Sequence, residues 1–340
     1  MVYRGSAVRR CNFAVKRARM KNIGIFCGGF SSEWEISLKS AQTISANFPA
    51  GFIVFPVLVR KDGFFAILGD KQFDFSIDSM SFISSNGAIK IDAAVVYVHG
   101  DPGENGKLQA LLELKSVPYI NSGPLASALS FDKWFCNQFL RAFGMDVAQS
   151  VKLKRNDHIA DSDIIEKLGL PVFVKPCDSG SSFGISKVKS QDQLLPAIQL
   201  AFEEGDEVVI EAFLNGVEVT CGVYRGKNGL TALPLTEIAS ENEFFDFDAK
   251  YNGKSQEITP ARIPDAIRDK VQLRAKNIYD LLGLRSIARI DFMLVNDTPF
   301  VIEVNTTPGF SPASIVPQMI ASAGMTLREF WEEVVEVELQ

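Results

Sequence analysis

Histidine is nearly absent from this 340-residue chain, which has only two, His99 and His158. That scarcity excludes a zinc centre built on imidazole. The five cysteines do not replace it: Cys11, Cys27, Cys136, Cys177 and Cys221 lie far apart with no CxxC pair. Such spacing is expected of reduced thiols in a cytoplasmic protein. Positive charge is not in excess either, since 35 Lys and Arg stand against 41 Asp and Glu, a net of −6. No basic stripe with interleaved aromatics occurs, so nucleic acid is not an expected partner. No apolar run approaches bilayer-spanning length, so no membrane partner is expected. Familiar nucleotide signatures are missing too: no GxGxxG follows the first strand, and there is no GxxxxGK[ST] and no kinase HRD or DFG set.

What the chain does have is a pair of greasy strands with acids planted inside them. Residues 289–295 and 300–305 are apolar and β-branched, and the Asn-Asp-Thr-Pro run at 296–299 between them predicts a β-hairpin. Side chains alternate along a strand, so Arg289, Asp291 and Met293 are expected on one face, and Val301, Glu303 and Asn305 on one face of the partner. A carboxylate in such a strand is costly unless it is paired or holds a metal. Asp291, Glu303 and Asn305 form an oxygen-only set suited to magnesium sharing its shell with phosphates. The plainer alternative, Asp291 simply pairing with Arg289, leaves Glu303 and Asn305 unexplained. Beyond the hairpin, residues 306–314 form a small-residue loop opening a helix at Ile315, a place where an anion is at home.

Towards the N-terminus, residues 1–20 are basic and carry Arg9-Arg10, but no apolar segment follows. They read as a disordered extension, or as sequence ahead of a start at Met20. Strands at 22–27, 52–59, 91–98 and 118–120 alternate with helical stretches, predicting an open parallel sheet over residues 21–120, with a hairpin around Lys61–Gly63. Ser32 with Glu35 fits a capping box for a helix running to about Ala46. Glu33 and His99 sit at strand ends where α/β sheets bind ligands, although a solvated Glu and a packed His are equally ordinary there. Asn121–Pro124 is a breaker cluster and the first domain boundary. In the middle block, Lys175 interrupts a buried-strand pattern just before the Gly/Ser loop 178–184, which suits backbone and hydroxyl contact with phosphate. Lys133 on an amphipathic helix carries little weight alone. Glu211 and Glu218, at strand ends, suit adenine and ribose or else an exposed rim. Residues 240–256 mix aromatics with charges and have no periodicity, as a lid or binding loop does.

Taken together, Gly28-Gly29 with the Ser-Ser-Glu-Trp-Glu run, the His99 loop, Asp132-Lys133, Val174–Pro176 with Gly184, Asp246–Tyr251, Arg289–Asp291 and Glu303–Gly309 resemble the D-alanine–D-alanine ligases. These are ATP-grasp enzymes, and the resemblance covers about residues 21–335. It implies an α/β (α+β) fold: an N-terminal Rossmann-like sheet domain (21–120), then a central (121–214) and a C-terminal (215–340) ATP-grasp subdomain. It implies ATP and two magnesium ions, or manganese, bound by Asp291, Glu303 and Asn305. Lys133, Lys175, Ser181, Ser182 and Lys250 would meet the phosphates, Glu211, Phe213 and Leu214 the adenine, and Glu218 the ribose. Glu33 and His99 would hold the first D-alanine, Arg289 the reacting carboxylate, and Gly309 and Ser314 the second D-alanine. Tyr251 would join Glu33 and Ser181 across the site, restraining both loops and favouring a dipeptide product. A cytoplasmic homodimer serving peptidoglycan synthesis is the corresponding expectation. Trp34, Ser179 and Phe247 depart from the family pattern and bear on loop contacts. Two other readings are a related carboxylate–amine or depsipeptide ligase of D-alanine–D-lactate type, and a non-catalytic ATP-binding regulator.

Overall fold

The computed structural model describes residues 19–157, 160–178, 184–240 and 255–339. Three sheets organise them. The first has eight strands, among them the inner strand Lys21–Gly28, buried from Ile23 to Gly28 and flanked in parallel by Phe52–Arg60 and Ala93–Val96. Tyr119–Ile120 extends the parallel part. On the other side the expected hairpin at 61–63 joins Phe52–Arg60 to Gly63–Leu68, but the sheet then departs from the expected parallel one: Lys71–Ser76, Ser81–Ser84 and Gly87–Lys90 continue an antiparallel meander. Two-residue turns at Lys61-Asp62 and Gly69-Asp70 leave no room for a crossover helix, so these strands must return antiparallel.

Helix Trp34–Asn47 covers this sheet through Ala41 and Ile44. Its start corrects the expected capping box. Glu33 is the cap residue, and the Ser31 hydroxyl accepts from the Glu33 amide (3.3 Å) while donating to the His99 carbonyl (2.8 Å). A true capping box sits instead at Thr326 and Glu329, opening the terminal helix Leu327–Glu338. That helix presents Phe330 and Trp331 to Phe310, Tyr97 and Phe48, so chain ends more than 280 residues apart share one core.

The second sheet is antiparallel, in the order Ser186–Val188, Val172–Pro176, Glu207–Ala212 and Ser150–Lys154. Helices Asp161–Leu168 and Leu194–Glu204 close one face over Val172, Val174, Val208 and Ile210. The third sheet runs Ser255–Ile258, Thr236–Ser240, Val217–Gly226, Ile287–Val295 and Thr298–Asn305, with Gly229–Ala232 paired to the end of Val217–Gly226. Helix Asp265–Leu281 backs it with Val271, Ala275 and Ile278.

The expected hairpin is present at 287–305. Asn296 (φ 47°) and Asp297 (φ 61°) form its turn. Two adjacent residues with positive φ give the type I′ geometry that matches strand twist. One detail of facing is corrected. The ladder pairs Ile290 with Val304 and Asp291 with Glu303, then Phe292 with Val301, so Ile302 is an extra residue. A bulge breaks strict alternation. Val301 therefore joins Val304 in the core, while Glu303 stays opposite Asp291.

Candidate active site

The second and third sheets face each other across a cavity of about 270 Å³. It continues into a second of about 360 Å³, bounded by the first sheet's loops and the segment after the hairpin. Lys133, Ile185, Glu257, Arg289, Glu303 and Ile315 line both. Lys175, Glu211, Phe213, Leu214, Glu218 and Asp291 line the first, and Glu33, His99, Asn305, Gly309 and Ser314 the second. Every candidate side chain within the described residues is thus brought to one continuous space. Ser181, Ser182, Lys250 and Tyr251, with Ser179 and Phe247, lie outside the described residues.

Local chemistry explains how each is held. Lys133 opens helix Lys133–Ala142, capped by Asp132, whose carboxylate accepts from the Phe135 amide at 2.9 Å. The Lys133 amide donates to the Cys177 carbonyl (2.9 Å), tying this helix to the end of the Lys175 strand. Lys175 is buried and forms an ion pair with Glu211 at 2.8 Å. Burial opposes its charge, but the neighbouring Glu211 carboxylate outweighs that and holds Lys175 above its usual value. The other Glu211 oxygen accepts from Asn137 (2.8 Å). Glu218 is pushed up to about 8, first by burial and then by the charges of Asp291 and Glu303.

Arg289 and Asp291 form a fork, Nε to Oδ1 at 2.8 Å and Nη2 to Oδ2 at 2.7 Å. Thr220 donates its hydroxyl to Asp291 Oδ1 as well. Burial would raise the Asp291 carboxyl, yet Arg289 and the hydrogen bonds keep it below the ordinary range. The plain pairing of Asp291 with Arg289 therefore exists. It does not exhaust the charge, because Glu303 lies 3.8 Å from the same guanidinium and is more exposed. Arg289 in turn is kept fully charged: burial works against it, and Asp291 and Glu303 more than compensate. No group of three or more His, Cys, Asp or Glu suited to a metal is found among the described residues. Two carboxylates directly opposite each other, with Asn305 opposite Arg289, nevertheless suit a hard cation completed by phosphate oxygens and water.

In the second cavity His99 is buried, with Nε2 3.4 Å from the Ser40 hydroxyl. Ser40 also accepts from the Phe310 amide (3.0 Å), and Tyr97 donates to the Pro308 carbonyl (2.8 Å). These bonds lock the loop after the hairpin onto the first sheet. Ser314 is the cap of helix Ile315–Ser322, and its hydroxyl accepts from the Ser311 amide (3.1 Å).

Three participants carry no clear sequence signal. Glu104, buried in the loop after His99, accepts from the Gly100 amide at 2.7 Å and is pushed to about 8 by burial and by Glu33. Asn137 and Glu257 sit in amphipathic or polar stretches where solvation is the ordinary expectation. Only the Gly-rich setting of Glu104 could have drawn notice.

Two antiparallel sheets facing each other across a cavity, Lys175 and Glu211 on one and Glu218, Asp291 and Glu303 on the other, behind an N-terminal α/β sheet, define the ATP-grasp class of ATP-dependent ligases. Residues 22–122 match the D-ala D-ala ligase N-terminus, and residues 139–336 the D-ala D-ala ligase C-terminus. The D-alanine--D-alanine ligase of Azobacteroides pseudotrichonymphae is 44% identical over 322 residues, 93% of this chain and 99% of that one. Among solved structures, the VanG D-Ala:D-Ser ligase from Enterococcus faecalis superposes with a TM-score of 0.84 at 31% identity, covering 94% of this chain and 99% of its own. The D-alanine--D-alanine ligase from Bacillus anthracis complexed with ATP gives 0.76 at 28%, covering 94% and 97%. The chain belongs to the D-alanine–D-alanine ligase family.

Proposed function

We propose that this chain joins two molecules of D-alanine into D-alanyl-D-alanine with conversion of ATP to ADP and phosphate, supplying a peptidoglycan precursor. The observation that carries this is the convergence of Lys133, Arg289 and Glu303 on the wall between the two cavities. Nucleotide in the first and amino acids in the second would meet there.

A carboxylate is a poor electrophile, so the first D-alanine would attack the γ-phosphate and become an acyl phosphate. The amine of the second would then attack that carbonyl and expel phosphate. Lys133 and Lys175 would neutralise phosphate charge, with Lys250 and the hydroxyls of Ser181 and Ser182 adding to it. Glu211, Phe213 and Leu214 would face adenine and Glu218 the ribose. Asp291, Glu303 and Asn305 would hold two magnesium or manganese ions, which supply charge neutralisation at the transferring phosphoryl group. Arg289, kept charged by its acidic neighbours, would steady the reacting carboxylate. Glu33 would take the first ammonium beside His99, Gly309 and Ser314 would hold the second D-alanine, and Tyr251 would restrain the surrounding loops. The domain limits 21–120, 121–214 and 215–340 follow the same reading, as does a homodimer. The four described cysteines are all free thiols, in keeping with a reducing cytoplasm, and no described helix is long and apolar enough to cross a membrane.

Incubation with ATP, magnesium and D-alanine is expected to yield a dipeptide of D-alanine by mass spectrometry, with none from L-alanine. ADP without dipeptide would refute the proposal. A different acceptor, D-serine or D-lactate, is the second reading, and the VanG neighbour's name favours including both in that assay.

A further inference from the structure

Asn137 is an amide placed where an apolar side chain would be expected. It is buried on the inner face of helix Lys133–Ala142, and the other buried side chains of that face, Cys136 and Leu140, belong to an apolar core. An amide is costly there unless it is hydrogen-bonded. Its nitrogen donates to Glu211 Oε1 at 2.8 Å, while Lys175 meets Oε2 of the same carboxylate at 2.8 Å. Glu211 is 5% exposed, stands opposite Phe173 in the second sheet, and lines the first cavity beside Phe213 and Leu214. Asn137 follows Lys133 by one helical turn, so the two share a face. One face of this helix thus brings Lys133 to the nucleotide cavity and Asn137 to a carboxylate that lines it.

Resting on the nucleotide reading of the first cavity, we propose that Asn137 is a positioning residue that aligns the Glu211 carboxylate with the base and so makes the site select adenine. A carboxylate held through one oxygen can still turn about its last side-chain bond, a torsion with broad minima. Donors on both oxygens fix its plane. Each oxygen keeps a further lone pair, so the fixed carboxylate can accept one more hydrogen bond. The adenine amino group is a donor for it, whereas guanine presents a carbonyl oxygen at the same position and meets acceptor with acceptor. A site built to accept from one amino group discriminates against a base that lacks it, because the buried carboxylate then goes without that partner.

The test compares the Kd of ATP with that of purine riboside 5′-triphosphate, which carries hydrogen in place of the amino group. Both are measured by calorimetry on the full chain with magnesium and no D-alanine. The wild type is expected to bind ATP roughly ten- to a hundredfold more tightly than the analogue, the range of a hydrogen bond to a charged group. Asn137→Leu removes the donor with little change in volume. It should lower that preference about tenfold by weakening ATP, with the Kd of the analogue within about twofold of the wild type. Asn137→Ser, too short to reach Glu211 and without added apolar bulk, should lose the preference likewise, and Asn137→Gln, which keeps an amide, should recover part of it. A residue that only packs the helix would weaken both nucleotides alike and leave their ratio at the wild-type value, which would overturn the proposal. Equal binding of the two nucleotides by the wild type would overturn it as well. The ligase reading fails on a separate result, the absence of dipeptide when the wild type receives ATP and D-alanine, because the binding ratios do not depend on turnover.

Discussion

Arg289, Asp291 and Glu303 are three charges placed where apolar side chains would have been cheaper. Asp291 and Glu303 do not behave alike, because their surroundings differ. Asp291 is 7% exposed and bonded by Arg289 and Thr220, so removing it strands a buried guanidinium. Breaking such a pair typically costs about 3–5 kcal/mol. Asp291→Ala is expected to abolish turnover and to lower the melting temperature clearly. Glu303→Ala is expected to abolish turnover with little change in melting. Equal melting losses in both would contradict the pairing described here. Glu104 offers a pH test. Its carboxyl, at about 8 in the fold, keeps a proton that the unfolded chain releases near 4.3. The ligand-free protein should therefore lose stability as pH rises from about 4.5 to 8. Glu104→Gln should match the wild type near pH 4 and be more stable at pH 8, as read by thermal melts across that range. No gain at pH 8 would mean that the carboxyl is not held neutral. Asp291, Glu303 and Lys175 were legible because each interrupts an apolar strand, where burial makes charge conspicuous. Glu104 and Glu257 were not, since an acid in a polar stretch looks solvated until folding buries it.

At the level of elements, the hairpin was readable from its two β-branched arms and the Asn-Asp turn. Its bulge was not, because Ile302 is as apolar as its neighbours and nothing marks it as unpaired. The meander of residues 63–90 was legible only at its first turn, 61–63, for a related reason. Its strands are four to six residues long, and those after Leu68 are interspersed with polar residues, too short for a firm period. The joint between the second and third sheets is tight. A Cβ added at Gly216 would stand 2.1 Å from the Leu294 carbonyl oxygen, which is backbone and cannot swing aside. Gly216→Ala should push the hairpin strand away from the cavity, lower stability by about 1–3 kcal/mol, and raise the KM for ATP. An unchanged KM for ATP would indicate that this joint does not shape the nucleotide cavity.

On the scale of the whole molecule, three sheets meet along one seam, and the site lies in it. Tyr97 to Pro308, Ser40 to Phe310 and the Trp331 cluster bind the first sheet to the C-terminal segment, far apart in sequence. Such joins are invisible to local periodicity, and the antiparallel clamp was legible only through the motifs that line it. No described side chains form a closed metal cluster, so a chelator should leave the melting temperature of the free protein unchanged while stopping turnover. A non-hydrolysable ATP analogue with magnesium, at a hundred times its Kd, should add about 2.7 kcal/mol of stability by mass action. The central assignment is that the acids of the 287–305 hairpin serve nucleotide chemistry. Phosphate release measured with ATP, magnesium and D-alanine, comparing the wild type with Glu303→Ala, addresses it most directly. Steady D-alanine-dependent release by the wild type and none above background by the variant is the expected result, whereas release by Glu303→Ala at the wild-type rate would contradict it.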